Sequence, residues 1–446
     1  MSTPLEKLLR NARMDLIISR VEKDPSVINE IIKFLNSESR SVRFNAILVL
    51  GELGGQSEAA IDELISCLND DDWSVCREAA RTLGKVGNVA EKGIPELTKY
   101  IDDKEVSIRK AVVITLGKIG SGKHEAIVNL FKALHDKSAE VRIEAAKSLG
   151  KIGSEAYDAI PELVGSLKDI DWAVRSAAAE SISEIGRNTE KAIPALIDAL
   201  GDDDWRVRFK VMDTLVDIGE ITIPYLLKVL DHEDPIIRKT AAETLGDLQI
   251  PDSNVIKKLS EMLDDKDEAV RGKSADALKN IGKEGLAGLT KILESADNDM
   301  KRTILSSIGG MGLEAENGIP EVIKYLREGK SSVRAEATRT LGKIGVNSEN
   351  AVRALEKALK DSKKEIRREA ALSLGNIGKN AKLSIPSLLE ALNDKSPDVR
   401  WRGSEALGKI GVKIPEVLSG LETLVHDECD YVCESAITAI DNIEKS

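Results

Sequence analysis

The residues best suited to chemistry lie near the C-terminus, where Cys429 and Cys433 are four residues apart and follow His426 and Asp427. Two thiolates at this spacing share one face of a helix, an arrangement that suits zinc. We favour the alternative that Cys433 is a small buried residue, because Cys76 occupies the equivalent position in another repeat of the chain. No phosphate loop, nucleophile elbow or paired-carboxylate motif stands out. The sequence therefore predicts no catalytic residue, no bound cofactor and no metal site.

The elements that must position any functional side chain are copies of one repeated segment, clearest in residues 141–153, VRIEAAKSLGKIG. We call the first apolar residue of each copy its register residue. The thirteen register residues are Val42, Val75, Ile108, Val141, Val174, Val207, Ile237, Val270, Met300, Val333, Ile366, Val399 and Val432. Successive ones lie 33 residues apart, except for two steps of 30, which follow Val207 and Val270. A fixed period of this length predicts a solenoid of stacked repeats.

Each copy is predicted to form two helices. The first begins at an Ile-Pro pair such as Ile160-Pro161, because proline is tolerated in the first turn of a helix. An acidic turn such as residues 202–204 follows and is suited to capping the second helix. The second helix runs from the register residue to a Gly pair, which suits a helix end. Its apolar face holds the register residue and the residues four, five, eight and eleven later.

A charge is predicted inside this apolar arc. The residue after the register residue is Arg in ten copies, and Asp stands five residues before the register residue in nine. Buried charges need partners, so we expect an internal Asp–Arg ladder that runs from copy to copy. Its members are Asp70, Asp103, Arg109, Asp136, Arg142, Asp169, Arg175, Asp202 and Arg208, and the aspartates continue at Asp265, Asp361, Asp394 and Asp427.

This pattern of paired helices, with Pro in the first and Val-Arg in the second, resembles HEAT repeats. The 33-residue length and the VRxxAAxxLGxIG signature resemble the phycobilisome-lyase type of HEAT-like repeat, which is common in archaea and bacteria. The resemblance covers roughly residues 26–446. It implies an all-α, right-handed α-solenoid of the armadillo type, with about thirteen helical hairpins of 30–33 residues. It implies little about activity, because the matching residues are structural.

Some proteins with such repeats are enzymes, and three catalytic or nucleic-acid interpretations follow from the resemblance. Deoxyhypusine hydroxylase holds iron with His-Glu pairs in register, whereas His124-Glu125 and His232-Glu233 lie outside that register. Bilin lyases share the repeat type, but no residue here indicates a pigment pocket. HEAT-like DNA glycosylases use a basic surface with Trp, of which Trp73 and its basic neighbours are only a partial match. We therefore keep a lyase or hydroxylase type of enzyme, an enzyme-associated subunit and a nucleic-acid-associated protein as alternatives.

Composition narrows the class further. The 446 residues carry a net charge of −12, which argues against a general nucleic-acid binder. Aromatic residues are only 3% of the chain, so the core must be aliphatic. No apolar run is long enough for a membrane helix, and residues 1–20 lack a signal-peptide core. We predict a cytoplasmic protein, and the Lys-, Glu- and Ile-rich composition suggests an archaeal source.

Two features divide the predicted solenoid along the chain. Residues 1–25 are expected to form a capping helix, centred on an amphipathic stretch from Leu5 to Val21, and residues 26–446 the repeats. Both 30-residue steps and the run Gly309-Gly310-Met311-Gly312 fall in the middle of the chain. Glycine weakens a helix by about 1 kcal/mol at each interior position. We therefore expect a change of curvature or a hinge within residues 246–318.

Function is expected on the second helices, at positions that point away from the apolar arc. These lie two residues before the register residue and two, three, six, seven and ten after it. In HEAT-like solenoids the second helices line the concave face, so the resemblance places these positions there. The aromatic residues at these positions that we expect to contact a partner are Trp73, Trp172, Trp205, Phe209 and Trp401. These side chains either anchor a partner, as exposed aromatic residues often do, or pack against the neighbouring copies of the repeat.

Charge is segregated over the same positions. Copies two to four carry seven basic residues against two acidic ones, whereas copies five to seven carry two basic residues against six acidic ones. The basic residues that we expect to contact a partner are Arg77, Arg81, Lys85, Lys110, Lys118 and Lys147. A basic block beside an acidic block would orient an elongated partner. The sequence thus predicts a non-enzymatic scaffold or adaptor that binds a protein or peptide along its concave face.

Overall fold

The computed structural model describes residues 3–186 and 189–445, and in these ranges it contains helices, turns and no strand. The chain divides into two compact units, residues 1–225 and residues 226–446. Within each unit, tandem helical hairpins stack in the order of the chain. The predicted all-α solenoid of repeated hairpins is confirmed.

The first unit begins with two extra helices and continues with six hairpins. Its helices are α1 (Pro4–Arg10), α2 (Met14–Lys23), α3 (Val27–Lys33), α4 (Arg40–Leu53), α5 (Ile61–Ser66), α6 (Trp73–Val86), α7 (Ile94–Thr98), α8 (Val106–Ile119), α9 (His124–Ala133), α10 (Ala139–Ile152), α11 (Ile160–Ser166), α12 (Trp172–Ile185), α13 (Ile193–Ala199) and α14 (Trp205–Ile218).

The second unit continues the pattern, and the division between the units falls within helix α15 (Ile223–Val229). The remaining helices are α16 (Pro235–Leu248), α17 (Ser253–Glu261), α18 (Glu268–Ile281), α19 (Lys283–Ile292), α20 (Asn298–Gly310), α21 (Ile319–Glu328), α22 (Ser331–Ile344), α23 (Glu349–Ala358), α24 (Lys364–Ile377), α25 (Ile385–Ala391), α26 (Pro397–Ile410), α27 (Pro415–Leu424) and α28 (Asp430–Lys445).

Local sequence explains the bounds of each hairpin. Helix α11 begins at Ile160 with proline in its first turn, where no backbone N–H is needed. Helix α12 begins two residues before its register residue, and the Asp171 carboxylate caps it by accepting the N–H of Ala173 at 2.7 Å. The helix ends at Gly186, whose φ of 65° is a left-handed conformation that glycine adopts without strain. The residues at the helix ends therefore determine where the two helices of each copy begin and end.

The N-terminal segment differs from the prediction of one helix, because it forms α1 and α2 instead. Ala12 lies between them in the left-handed region at φ 50°. The N–H groups of Ala12 and Arg13 bond the carbonyls of Leu9 and Leu8, which is the pattern of a Schellman helix end. Both helices contact α4, and the Asn45 side chain of α4 donates to the Leu9 carbonyl at 2.8 Å.

Consecutive second helices approach closely because small residues face each other. A Cβ on Gly117 of α8 would lie 2.5 Å from the Ser148 Cβ of α10. The Ser148 hydroxyl donates to the Val113 carbonyl on α8 at 3.1 Å. Equivalent hydroxyls lie seven residues after the register residue and donate to the preceding copy: Thr82, Thr115, Ser181, Thr214, Thr340 and Ser373.

This hydroxyl seam corrects one sequence expectation. Position seven was expected on the exposed face, but Thr82, Ser181 and Thr214 are fully buried. An ideal helix places the position near the edge of the apolar arc, and close stacking of the neighbouring helix covers it. The recurrence of Ser or Thr two residues before the Gly was the available signal, since a short hydroxyl can bond a backbone carbonyl in the tight seam.

Substitution of Gly117 by alanine tests the seam. Alanine normally stabilises a helix interior by about 1 kcal/mol relative to glycine. Here the added Cβ would come within 2.9 Å of the Ser148 Cα, so we expect destabilisation of about 1–3 kcal/mol. Urea unfolding followed by circular dichroism would measure it. The matched control is Gly165→Ala in α11, where a Cβ meets nothing within 4 Å. If both variants were equally stable, close packing at Gly117 would be disproved.

A ladder of Arg–Asp pairs joins neighbouring copies at most of the steps inside both units. Arg109 of α8 binds Asp136 with two bonds, from Nε at 2.6 Å and from Nη2 at 2.8 Å. Its Nη1 donates back to the Asp103 carbonyl at 2.7 Å. The other pairs, all 27 residues apart, are Arg43–Asp70, Arg142–Asp169, Arg175–Asp202, Arg238–Asp265, Arg334–Asp361, Arg367–Asp394 and Arg400–Asp427.

Two expected members of the ladder lack a side-chain partner across copies in the described part of the chain. Asp103 accepts the N–H of Glu105 at 2.7 Å, but the arginine position of the preceding copy is Cys76, whose thiol donates to the Leu68 carbonyl. Arg208 donates to the carbonyls of Asp202 and Asp203, and the residue 27 positions later is a proline because the step is 30. The ladder is therefore interrupted where the sequence departs from the repeat pattern, at Cys76 and at the 30-residue step after Val207.

The middle of the chain keeps its helical hairpins. Gln249 takes the place of the closing glycine and adopts φ 53°, a left-handed conformation that is uncommon for a side chain of this size. Arg271, before the second 30-residue step, donates to the carbonyls of Asp265 and Lys266 and to no carboxylate among the described residues. The expected hinge within residues 246–318 lies inside the second unit and stays a prediction.

Candidate functional site

The second helices of the first unit present one continuous set of uncovered side chains. Helices α6, α8, α10, α12 and α14 contact one another in sequence. On each, the residues two before and two, six and ten after the register residue lie at four-residue intervals and so share one side. We call this set the open face. Its members are Trp73, Arg77, Arg81 and Lys85; Val106, Lys110, Ile114 and Lys118; Ala139, Ile143, Lys147 and Lys151; Trp172, Ser176, Glu180 and Glu184; and Trp205, Phe209, Asp213 and Asp217. None of the twenty is buried.

Aromatic side chains stand at the N-terminal ends of three of these helices. The exposed fractions are 66% for Trp205, 57% for Phe209, 48% for Trp73 and 37% for Trp172. Large apolar side chains are usually covered in a folded chain. Helix α14 thus presents an uncovered aromatic pair, whereas Trp172 is the most covered of the four.

Trp172 is covered by the next copy, as the packing interpretation expected. The Arg206 guanidinium of α14 lies over the Trp172 ring at 3.4 Å from its centre. Asp204 holds that guanidinium with two bonds, at 2.9 Å to Nε and 2.6 Å to Nη2. Arg77 similarly lies over the Trp73 ring of its own helix, at 5.1 Å. A cation placed over a ring face is attracted by the ring quadrupole.

The basic end of the open face is only partly neutralised. Lys85 pairs with Glu52 at 2.8 Å, and Lys110 pairs with Glu140 at 3.1 Å. In the described part of the chain no carboxylate lies within ion-pair distance of Lys118, Lys147 or Lys151; all three are exposed. This end of the open face therefore carries positive charge that is not compensated by neighbouring carboxylates.

The acidic end lies on α12 and α14. Glu180 pairs with Lys210 at 3.1 Å, and Asp217 accepts the Ser183 hydroxyl at 2.5 Å. Partial burial against the preceding copy, together with the charge of Glu180, raises the pKa of Glu184. Nearby positive charge at this end is therefore favoured, because it would relieve the repulsion between the two carboxylates.

Trp401 belongs to the second unit and has different surroundings. Its ring meets Tyr431 edge to face at 5.6 Å, and Arg402 lies over it at 3.7 Å. These side chains line a cleft of about 480 Å³ between α26 and α28. Trp401 is half-buried, so it combines packing with partial exposure.

The histidine and cysteine positions are engaged in local structure. Cys433 was expected to be buried like Cys76 but is only half-buried, and its thiol donates to the Asp427 carbonyl at 3.2 Å. Atoms of Asp427, Glu428 and Cys429 that could bind a metal lie within 4.8 Å of one another, but Arg400 contacts both carboxylates. His232 accepts the N–H of Asp234 at 3.0 Å in a turn, and His124 begins α9.

The stacked hairpins and their buried ladder define an α-solenoid. The HEAT-repeat profile matches residues 10–84, 61–137, 127–215, 223–309, 286–375 and 352–441, so the chain belongs to the HEAT-repeat family.

Among solved structures, importin beta in a polyethylene glycol condition is 14% identical, with a TM-score of 0.54 over 96% of this chain and 71% of that one. Importin beta in an ammonium sulfate condition is 13% identical, with a TM-score of 0.51 over 95% and 68%. A structure describing Kap95p binding to RanGDP is 14% identical, with a TM-score of 0.52 over 95% and 67%. At these identities the likeness establishes the fold alone. No curated protein matches the chain in sequence.

Among the described residues, no helix is both long and apolar enough to cross a membrane.

Proposed function

We propose that this protein is a non-enzymatic scaffold or adaptor of the phycobilisome-lyase HEAT-like type, which works in the cytoplasm. Its partner is a protein or peptide that lies across the open face, the side that we take to be concave. The single observation that carries the proposal is the exposed aromatic pair Trp205 and Phe209 on α14.

The energetic argument starts from these two rings. Burial of an exposed aromatic side chain in a partner removes apolar area from water, which contributes about 25 cal/mol for each Å². Trp is enriched among the residues that dominate binding energy at interfaces, and Trp has few rotatable bonds to immobilise. Trp205 and Phe209 are four residues apart on one helix, so one partner segment can contact both.

The charges on the open face would fix the orientation of a bound partner segment. Helices α6, α8 and α10 contribute the basic side, and α12 and α14 contribute the acidic side. An extended or helical segment with acidic residues at one end and basic residues at the other would bind in one orientation, because the reverse orientation places like charges together.

Replacement of both Trp205 and Phe209 by alanine should reduce recovery of the partner with the tagged full chain by at least tenfold, since two anchors of about 1–2 kcal/mol or more each are lost. Pull-down from the source organism followed by mass spectrometry, with quantification of the recovered partner, would measure this. Thermal unfolding should be unchanged, because both rings are exposed.

The matched control replaces Val89 and Tyr157 by alanine. Both are exposed apolar residues of the first unit, at 49% and 41%, and both lie outside the open face. Partner recovery equal to that of the unchanged chain is expected for this control. Equal recovery with the Trp205 and Phe209 double variant would instead remove the open face from the proposal.

A further inference from the structure

Three of the four tryptophans have an arginine over the ring, and Trp205 is the exception. Arg77 lies over Trp73, Arg206 over Trp172 and Arg402 over Trp401, at 5.1, 3.4 and 3.7 Å from the ring centres. Lysines lie instead over a tyrosine, Tyr325. In the described part of the chain no Arg or Lys lies over the Trp205 ring, which is also the most exposed of the four.

Sequence explains why Trp205 lacks a cation. Trp73 receives Arg77 from four residues later on its own helix, and the same position relative to Trp205 holds Phe209. Trp172 receives its arginine from the residue before the next register residue, and the corresponding residue after Trp205 is Ile236. Trp401 receives Arg402, the residue that directly follows it, but the arginine that follows Trp205 is Arg206, which lies over Trp172 instead. All three routes by which this chain supplies an arginine to a tryptophan are therefore closed at Trp205.

Acidic residues further along α12 and α14 give this end of the open face a negative charge. Asp213 and Asp217 follow Phe209 at four-residue intervals along α14, and Glu180 and Glu184 occupy the corresponding positions of α12. Only Lys210 forms ion pairs with this group in the described residues, with Glu180 at 3.1 Å and Asp213 at 3.9 Å. Asp213 and Asp217 lie about 12 and 18 Å from Trp205 along the helix axis, so they would attract a guanidinium at Trp205 through the electrostatic field of this surface and not by forming an ion pair with it.

We infer that Trp205 is the recognition site for an arginine side chain of the protein partner, with Phe209 covering its aliphatic stem and the acidic side of the open face attracting its charge. Arginine is preferred to lysine because its planar guanidinium stacks on an indole while still donating hydrogen bonds. This inference rests on the proposed function and names the chemistry of the partner segment that meets α14.

Fluorescence anisotropy with synthetic peptides tests the assignment without an identified partner. The probes are short fluorescein-labelled peptides that alternate glycine with arginine, with lysine or with citrulline, the neutral analogue of arginine. At about 0.15 M salt we expect the arginine peptide to bind the full chain most tightly. Trp205→Ala should weaken it by about three- to thirtyfold, the range that partly desolvated cation–π contacts span.

Tyr157→Ala is the matched control, because Tyr157 is an exposed aromatic residue of the first unit, at 41%, that lies outside the open face. Trp205→Phe keeps a weaker ring and should give an intermediate affinity, which separates stacking from any loss of folding. Equal affinities for the arginine and lysine peptides, or an arginine-peptide affinity that does not change in Trp205→Ala, would overturn the assignment. If the arginine assignment failed in this way but the double variant of Trp205 and Phe209 still failed to bind the partner protein, the proposed function of the open face would stand and only the arginine assignment would be wrong.

Discussion

Replacement of Asp136 by alanine should lower the free energy of unfolding of the first unit by about 3–5 kcal/mol, the usual cost of removing one member of a buried ion pair. The reason is the partner that remains. Arg109 is only 2% exposed, and its Nε and Nη2 both donate to the Asp136 carboxylate. Without that carboxylate the guanidinium would stay buried with only neutral acceptors, the carbonyls of Asp103 at 2.7 Å and Lys104 at 3.4 Å.

The chain provides its own control for this prediction. Asp103 occupies the same position one copy earlier, but Cys76 stands where its arginine would be. Asp103→Ala should therefore cost only about 1 kcal/mol, from loss of the bond to the Glu105 N–H. Urea unfolding followed by far-ultraviolet circular dichroism compares the two variants. Equal destabilisation would mean that the ion pair itself contributes little.

The sequence predicts the repeat well because its determinants are local and recur. The proline in the first turn, the capping aspartates and the glycine ends all act within a few residues, so their effect is visible in one copy. The spacing of Arg109 and Asp136 also repeats, which allows a contact between copies to be expected from the pattern alone. Ala12 shows the limit, since no common helix-breaking residue marks the left-handed turn that splits the N-terminal segment.

The open face was less predictable because it depends on how far neighbouring copies cover each other. Trp172 and Trp205 occupy the same position in adjacent copies, yet their exposed fractions are 37% and 66%. The difference comes from Arg206, which reaches back across the seam to Trp172. The expectation for Thr82 was wrong for the same reason, since it was expected to be exposed and is fully buried by the neighbouring helix. Helical periodicity gives the direction of a side chain but not the distance to the next helix.

Stability should fall in acid because the ladder aspartates bind protons more weakly when folded than when unfolded. Burial alone would raise the pKa of Asp394, but the bonds from Arg367 and from the Ser396 N–H outweigh it and leave the pKa below its ordinary value. The same balance lowers the pKa of four other ladder aspartates, Asp136, Asp169, Asp265 and Asp361. The pKa of Asp427 is lowered as well, and there the bond from Arg400 is the largest influence.

The sign of the effect follows from linkage. A carboxyl group with a depressed folded-state pKa contributes its full stabilisation well above the unfolded value of about 3.9, and loses it as pH falls through the folded-state pKa. The urea midpoint should thus be nearly constant from pH 7 to about pH 5 and then decline steeply. Six carboxyl groups titrate in the same direction, so their losses accumulate.

Asp394→Asn isolates one step of this decline. The asparagine cannot ionise and offers Arg367 one side-chain acceptor oxygen in place of two, so the variant should be less stable than the unchanged chain at pH 7. The difference between the two unfolding midpoints should narrow as pH falls below about 4, because Asp394 of the unfolded chain is then protonated, and it should reach its minimum once the pH is below the depressed pKa of the folded chain. A difference that stayed constant to pH 3 would show that the charge of Asp394 does not stabilise the fold, and that its bonds to Arg367 act only through shape.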